Sequence, residues 1–228
     1  MTSPRQRIAV LPDSPNARLL AELTSHASDL SEASHTLACA FAAGEGSELW
    51  GPLTSHAATA YIRPFIQSSV RSRLDEMTGI PAMPPALKPV HDVIRKYRNT
   101  TIAHSQSTLA MPLPVAILNP SGQVEDVMGI SLIHPMPRAI ADQFSELISA
   151  MEDVVECATQ PVKERLRAWL KEETPERISR WQQPEVIHRL DSDFTGDSTR
   201  KQTPQFTLYW HLEEQLPGEE QPQENLHR

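Results

Sequence analysis

Leu87, Val90, Ile94, Tyr97, Thr101 and His104 step along the chain by 3, 4, 3, 4 and 3 residues. Only an α-helix puts residues at that spacing on one stripe. His91, Arg95, Arg98 and Ile102 form the neighbouring stripe. The same period recurs on either side, so the chain must fold by packing helices against one another. The spacing predicts a third helix over 86–105.

A first helix is expected from a cap at Asn16 through Leu19, Leu20, Leu23, Ala27, Leu30, Ala33, Leu37 and Phe41, closed by Gly44 and Gly46. A second is expected over 47–72, with Leu49, Leu53, Ala57, Ala60, Tyr61 and Phe65 inward and Pro64 bending or splitting it. The stretch 79–85 is a connection. The period then changes. Two short apolar runs, 114–119 and 127–134, flank Pro120-Ser121-Gly122 and read as a β-hairpin insertion at about 114–134. Helical spacing returns over 137–159, and Pro161 should open a further helix to about Glu173.

The expected organisation is a flexible arm (1–15), a helical domain (16–174), a C-terminal appendage (175–212) with a strand at 206–212, and a disordered acidic tail (213–228) rich in Glu, Gln and Pro. The fold class is mainly α, with a hairpin insertion and a small appendage. At 228 residues the chain can bury a sizeable core.

Net charge is −8, which argues against a general coater of DNA. The charge is uneven. Between Tyr61 and His104, seven basic residues face three acidic ones, a local +4 that leaves −12 for the remainder. Cys39 and Cys157 are far apart and suggest neither a disulfide framework nor a metal site. No metal or cofactor is expected. The N-terminus shows no apolar core of signal-peptide length, and no run is long enough to span a membrane. A cytoplasmic protein with no membrane partner is the expectation.

The third helix closes on Arg98-Asn99-Thr100-Thr101-Ile102-Ala103-His104-Ser105. Upstream lie Tyr61-Ile62-Arg63-Pro64-Phe65, Arg73-Leu74 and His91-Asp92. In this order the elements resemble the HEPN superfamily, and within it a branch related in pattern to abortive-infection proteins. The resemblance covers roughly residues 47–110. It implies a helical bundle that is usually a homodimer, with the signatures of two subunits facing one cleft. It further implies a metal-independent endoribonuclease of the defence or toxin type, in which 2′-hydroxyl attack leaves a 2′,3′-cyclic phosphate. Many relatives have lost activity and bind a nucleotide, an RNA or a protein instead. A neutralising protein partner would suit the acidic remainder.

The chemistry assigns roles. His104 can serve as acid or base, because an imidazole titrates near neutral pH. Arg98 would hold the phosphate bidentately, and Asn99 would bind it or fix the histidine tautomer. Arg63, His91, Asp92, Arg95 and Ser105 are candidates for substrate binding or support, with His91 oriented by Asp92 or another acid. On a regular helix Arg98 and His104 are separated by about 9 Å of rise and about 120° of rotation. A two-fold dimer would solve this by offering two copies of each group. Structural readings stand beside these. His104 lies on the apolar stripe and fits an interior histidine, Arg98 could pair with an acid at a helix interface, and Arg63 could be an ion-pair partner joining two helices. His26, His35 and His56 show no ligand spacing, and Trp169, Trp181 and Trp210 read as packing residues.

Overall fold

The computed structural model describes residues 8–104 and 106–181, together with the backbone of 185–187 and 207–209. The chain is mainly α with one antiparallel hairpin. The order is α1 (Pro15–Ala43), α2 (Trp50–Ile62), α3 (Lys88–Tyr97), β1 (Ala110–Leu118), β2 (Val124–Ile133), α4 (Arg138–Leu170), α5 (Pro175–Ile178), β3 (Glu185–Ile187) and β4 (Thr207–Tyr209). Short 3-10 turns cover Arg63–Phe65, Leu74–Glu76 and Pro85–Leu87.

Two compact units divide the chain. The larger runs from Ser14 to Glu172 and holds α1–α4 and the hairpin. The smaller gathers the described residues before Ser14 and after Glu172. In it, Thr174 caps α5 by accepting the Arg177 N–H at 3.2 Å. There β3 and β4 pair in parallel, Val186 opposite Leu208. The rest of the strand expected at 206–212 and the tail at 213–228 lie outside the described residues, as do residues 1–7 of the expected arm.

α1 begins at Pro15 because Ser14 Oγ accepts the Ala17 N–H at 3.2 Å. The cap is therefore Ser14 and not Asn16, whose side-chain oxygen instead accepts a hydrogen bond from Arg165 of α4 at 3.0 Å. Gly44 closes the helix at φ 85°, in the left-handed region that only glycine enters cheaply. α1 packs on α2 and α4, and the core lies between them. Leu23, Leu30 and Leu37 of α1, Trp50 and Tyr61 of α2, Ile94 of α3, and Phe144, Leu147 and Ile148 of α4 belong to this core, all fully buried. The Tyr61 and Phe144 rings meet edge to face at 5.2 Å.

Three expectations about helices need correction. α2 is short, starting at Trp50 and ending where Pro64 opens the 3-10 turn. Leu49 is exposed and its neighbour Trp50 is the buried residue, with Nε1 donating to the Met136 carbonyl at 2.7 Å. No break occurs at Pro161, because α4 continues through it for 33 residues. Pro161 and Cys157, whose carbonyl it fails to bond, are both exposed, so water can serve the orphan acceptor while Val155, Ala158, Val162 and Leu166 stay buried. The expected helix 86–105 is instead a 3-10 turn, ten residues of α3, and then a five-residue π turn at Arg98–Ile102.

Candidate functional site

The π turn decides where the sequence-predicted residues go. The Ala103 N–H donates to the Arg98 carbonyl, five residues back, at 2.9 Å. Three consecutive β-branched residues crowd this turn, and Thr100 Oγ donates to the Lys96 carbonyl at 2.9 Å, competing for the regular helical acceptor. Each π turn holds an extra residue, so the apolar stripe loses its phase. Ile94 is buried, Tyr97 and Thr101 are half-buried, and His104 is exposed. The buried histidine of this segment is His91, from the neighbouring stripe.

Arg98 and Asn99 are brought together, with Arg98 Nη1 donating to Asn99 Oδ1 at 3.1 Å. That bond leaves the Asn99 amide N–H groups and the rest of the guanidinium fork as donors toward an anion. His104 follows the π turn and makes no hydrogen bond to either residue. One chain thus supplies a joined Arg98–Asn99 pair and a separate, accessible His104. Ser105 lies outside the described residues.

The basic stretch from 61 to 104 splits in two. Arg63 bonds Glu32 at 2.6 Å and Asp29 at 3.3 Å, Arg71 pairs with Asp29, Arg73 grips Asp75 and Glu76, and Lys88 pairs with Asp92. Arg95, Lys96 and Arg98 have no carboxylate partner among the described residues. Positive charge is therefore neutralised everywhere along this stretch except around the end of α3.

Three of the candidates, Arg63, His91 and Asp92, have partners elsewhere. Arg63 ties the end of α2 to α1 through Glu32 and Asp29, and its guanidinium, helped by His56, holds the Glu32 carboxyl below the usual carboxylate range. His91 is buried at 4% exposure, with Nδ1 2.9 Å from the Tyr61 hydroxyl and its ring on the edge of Phe65 at 4.7 Å. Burial first, then Lys88, pushes its pKa down. Asp92 does not orient it, since that carboxylate is exposed and held by Lys88. His91 and Asp92 are adjacent in sequence, but His91 faces the core and Asp92 faces solvent.

Beside the π turn lies a groove of about 1050 Å³. Its wall includes Lys96, Tyr97, Thr100, Thr101, Ser107 and His134, over an apolar floor that includes Ile94 and Met136. Thr101 Oγ1 is buried without a hydrogen-bond partner among the described residues. The bond from Trp50 to Met136 fixes the far wall, where the chain enters α4. Sequence reasoning missed this groove. Its signals were the run of hydroxyls from Thr100 to Thr108 and the stiff His134-Pro135-Met136-Pro137. Among the described residues no cluster of His, Cys, Asp and Glu could hold a metal ion, and no helix is long and apolar enough to cross a membrane. No family model, no curated protein and no solved structure matches this chain.

Proposed function

We propose that the end of α3 is the working edge of a metal-independent endoribonuclease of the defence or toxin type, acting on RNA as a homodimer. The observation that carries this reading is the trio Arg95, Lys96 and Arg98, left without carboxylates among the described residues where every other cation of the stretch has one, with Asn99 bonded to Arg98 and an accessible His104 just beyond. An unneutralised guanidinium fork beside an amide is suited to a phosphodiester, whose two free oxygens accept from both.

The step needs no group beyond these. The 2′-oxygen attacks the adjacent phosphorus, the O2′–P bond forms and the P–O5′ bond breaks. The 2′-hydroxyl proton goes to one imidazole, and O5′ takes a proton from another. Two copies of His104 around one phosphate would supply base and acid, which one chain cannot do alone. Arg98 and Asn99 would hold the phosphorane charge. A protein that neutralises this edge when the activity is unwanted fits the same reading.

The test incubates the purified chain and its His104→Ala variant with total RNA in EDTA, then maps the fragment ends. Cleavage by wild type alone, leaving 2′,3′-cyclic phosphates, supports the reading. Absence of cleavage with both proteins folded removes it. A second reading, a non-catalytic module that binds a nucleotide, an RNA or a protein, is favoured by one fact: His104 makes no hydrogen bond to Arg98 or Asn99. RNA retained without cleavage, and released by Arg98→Ala, would select that reading over the first.

A further inference from the structure

The β1–β2 hairpin lacks a cover of its own. Opposite residues of an antiparallel pair share a face. The register therefore sets Met111, Leu113 and Val115 of β1 beside Leu132, Ile130 and Met128 of β2. Among the described residues no helix packs along either strand, and on this face Met111, Leu132 and Met128 are 40%, 41% and 48% exposed. Two strands alone are at best marginally stable in water, whereas further strands on an apolar face make a sheet that holds.

Its two outer edges are not alike. The Leu109 carbonyl accepts the His134 N–H at 2.8 Å, so the odd-numbered residues of β1 bond inward to β2. Pro112 and Pro114 fall among the outward positions and remove two donors from that edge. Their partners on β2 are Ser131 and Gly129, which with Val127 face outward and contain no proline, although the Val127 N–H is held by its own neighbour, Asp126 Oδ1, at 2.8 Å. One edge is closed and the other is open.

We propose that the hairpin is a dimerisation arm, and that its open β2 edge pairs antiparallel with β2 of a second copy about a two-fold axis at Gly129. That pairing sets Val127 opposite Ser131 of the second copy, where the Val127 N–H would exchange Asp126 Oδ1 for the Ser131 carbonyl and the Gly129 and Ser131 groups would find partners in the other strand. Gly129 has no atom within 4 Å of where a Cβ would stand, leaving room for the crossing. The result is a four-stranded sheet.

The charges agree with this register. The hairpin carries Glu125 and Asp126 near its tip and no basic residue. With Gly129 on the axis, Glu125 stands opposite Ile133 of the second copy, and Val124 opposite His134. The acidic tip of each arm thus arrives at the base of the other. There Lys96 and His134 line the groove, and Lys96 has no ion pair among the described residues. The two-fold arrangement that the ribonuclease reading requires would follow, although the argument uses only the hairpin and the groove.

The test is sedimentation equilibrium of the full chain at neutral pH and low salt, with circular dichroism to verify the helices. Wild type should sediment at twice the 25.5 kDa chain mass. Ser131→Pro closes the open edge without touching a β1–β2 hydrogen bond and should leave a monomer. Glu125→Lys with Asp126→Lys should weaken the dimer about tenfold, and adding Lys96→Glu should restore it. A wild type that stays monomeric at ~100 µM, or a dimer indifferent to Ser131→Pro and to the charge reversal, overturns the proposal. Because mass is the readout, a dimer that cleaves no RNA leaves the arm standing and removes only the nuclease.

Discussion

The Tyr61 hydroxyl stands 2.9 Å from Nδ1 of His91, and this contact ties α2 to α3. Burial raises the Tyr61 pKa, so the phenol stays protonated across the working range. Tyr61→Phe leaves the buried His91 nitrogen without a partner and should cost about 1–3 kcal/mol. Urea unfolding would measure it. A variant as stable as wild type would mean that the histidine finds another partner at no cost.

His26 makes acid a weakness of the fold. It is fully buried on α1, and neither ring nitrogen completes a well-formed hydrogen bond. Burial, helped by Arg71, lowers its pKa from 6.5 to about 4, although the Ser72 backbone lies close enough to favour the charged form slightly. Between those values the unfolded chain binds the proton and the folded chain does not. Stability is therefore full above about pH 6.5 and falls as pH drops toward 4, by up to about 3 kcal/mol from this residue. His91 acts in the same direction. His26→Leu should flatten the decline, as read from unfolding curves between pH 7 and 4.

Arg63 and Arg71 converge on Asp29, whose side chain is 13% exposed, as is nearly that of Arg71 at 12%. Asp29→Ala leaves the Arg71 charge without its carboxylate and should cost about 3 kcal/mol, with Arg63→Ala costing less because that side chain is 39% exposed. Neither should change the affinity for RNA at a temperature where both are folded. Fluorescence anisotropy with a short RNA checks this. A large loss of affinity in Arg63→Ala would return that residue to the site.

Arg95 is exposed and has no carboxylate partner among the described residues. If it meets a phosphate, Arg95→Ala should lower the slope of log affinity against log salt by about one and weaken all RNA sequences alike. An unchanged slope would place the RNA elsewhere.

Pro161 sits inside α4 on its exposed side. Pro161→Ala restores one helical hydrogen bond and should stabilise the chain by about 1–3 kcal/mol, seen as a higher Tm.

Helices were legible where the apolar stripe was long and uninterrupted, as in Leu23, Leu30 and Leu37 of α1. The hairpin was legible from its turn, in which Gly122 has φ 82°, though its strands run beyond 114–134 at the first end. Periodicity could not show the π turn, because counting residues assumes a constant helix. That assumption put His104 inward, and one extra residue in the turn undid it. Nor could it rank Leu49 against Trp50, where the hydrogen bond to Met136, far along the chain, decides which is buried. The adjacency of Arg98 and Asn99 could be read directly. Which cations were already neutralised could not, since Glu32 and Asp29 lie some thirty residues before Arg63.

Pro112 and Pro114 also govern how far assembly can go. A strand pair that accepted neighbours on either side would add copy after copy and grow into a filament. With two outward donors missing from β1, the arm as proposed would leave each molecule a single favourable place for a like molecule to join, and joining would use it up. Two prolines would then set a stoichiometry, ending at two what the apolar hairpin would otherwise continue as a polymer.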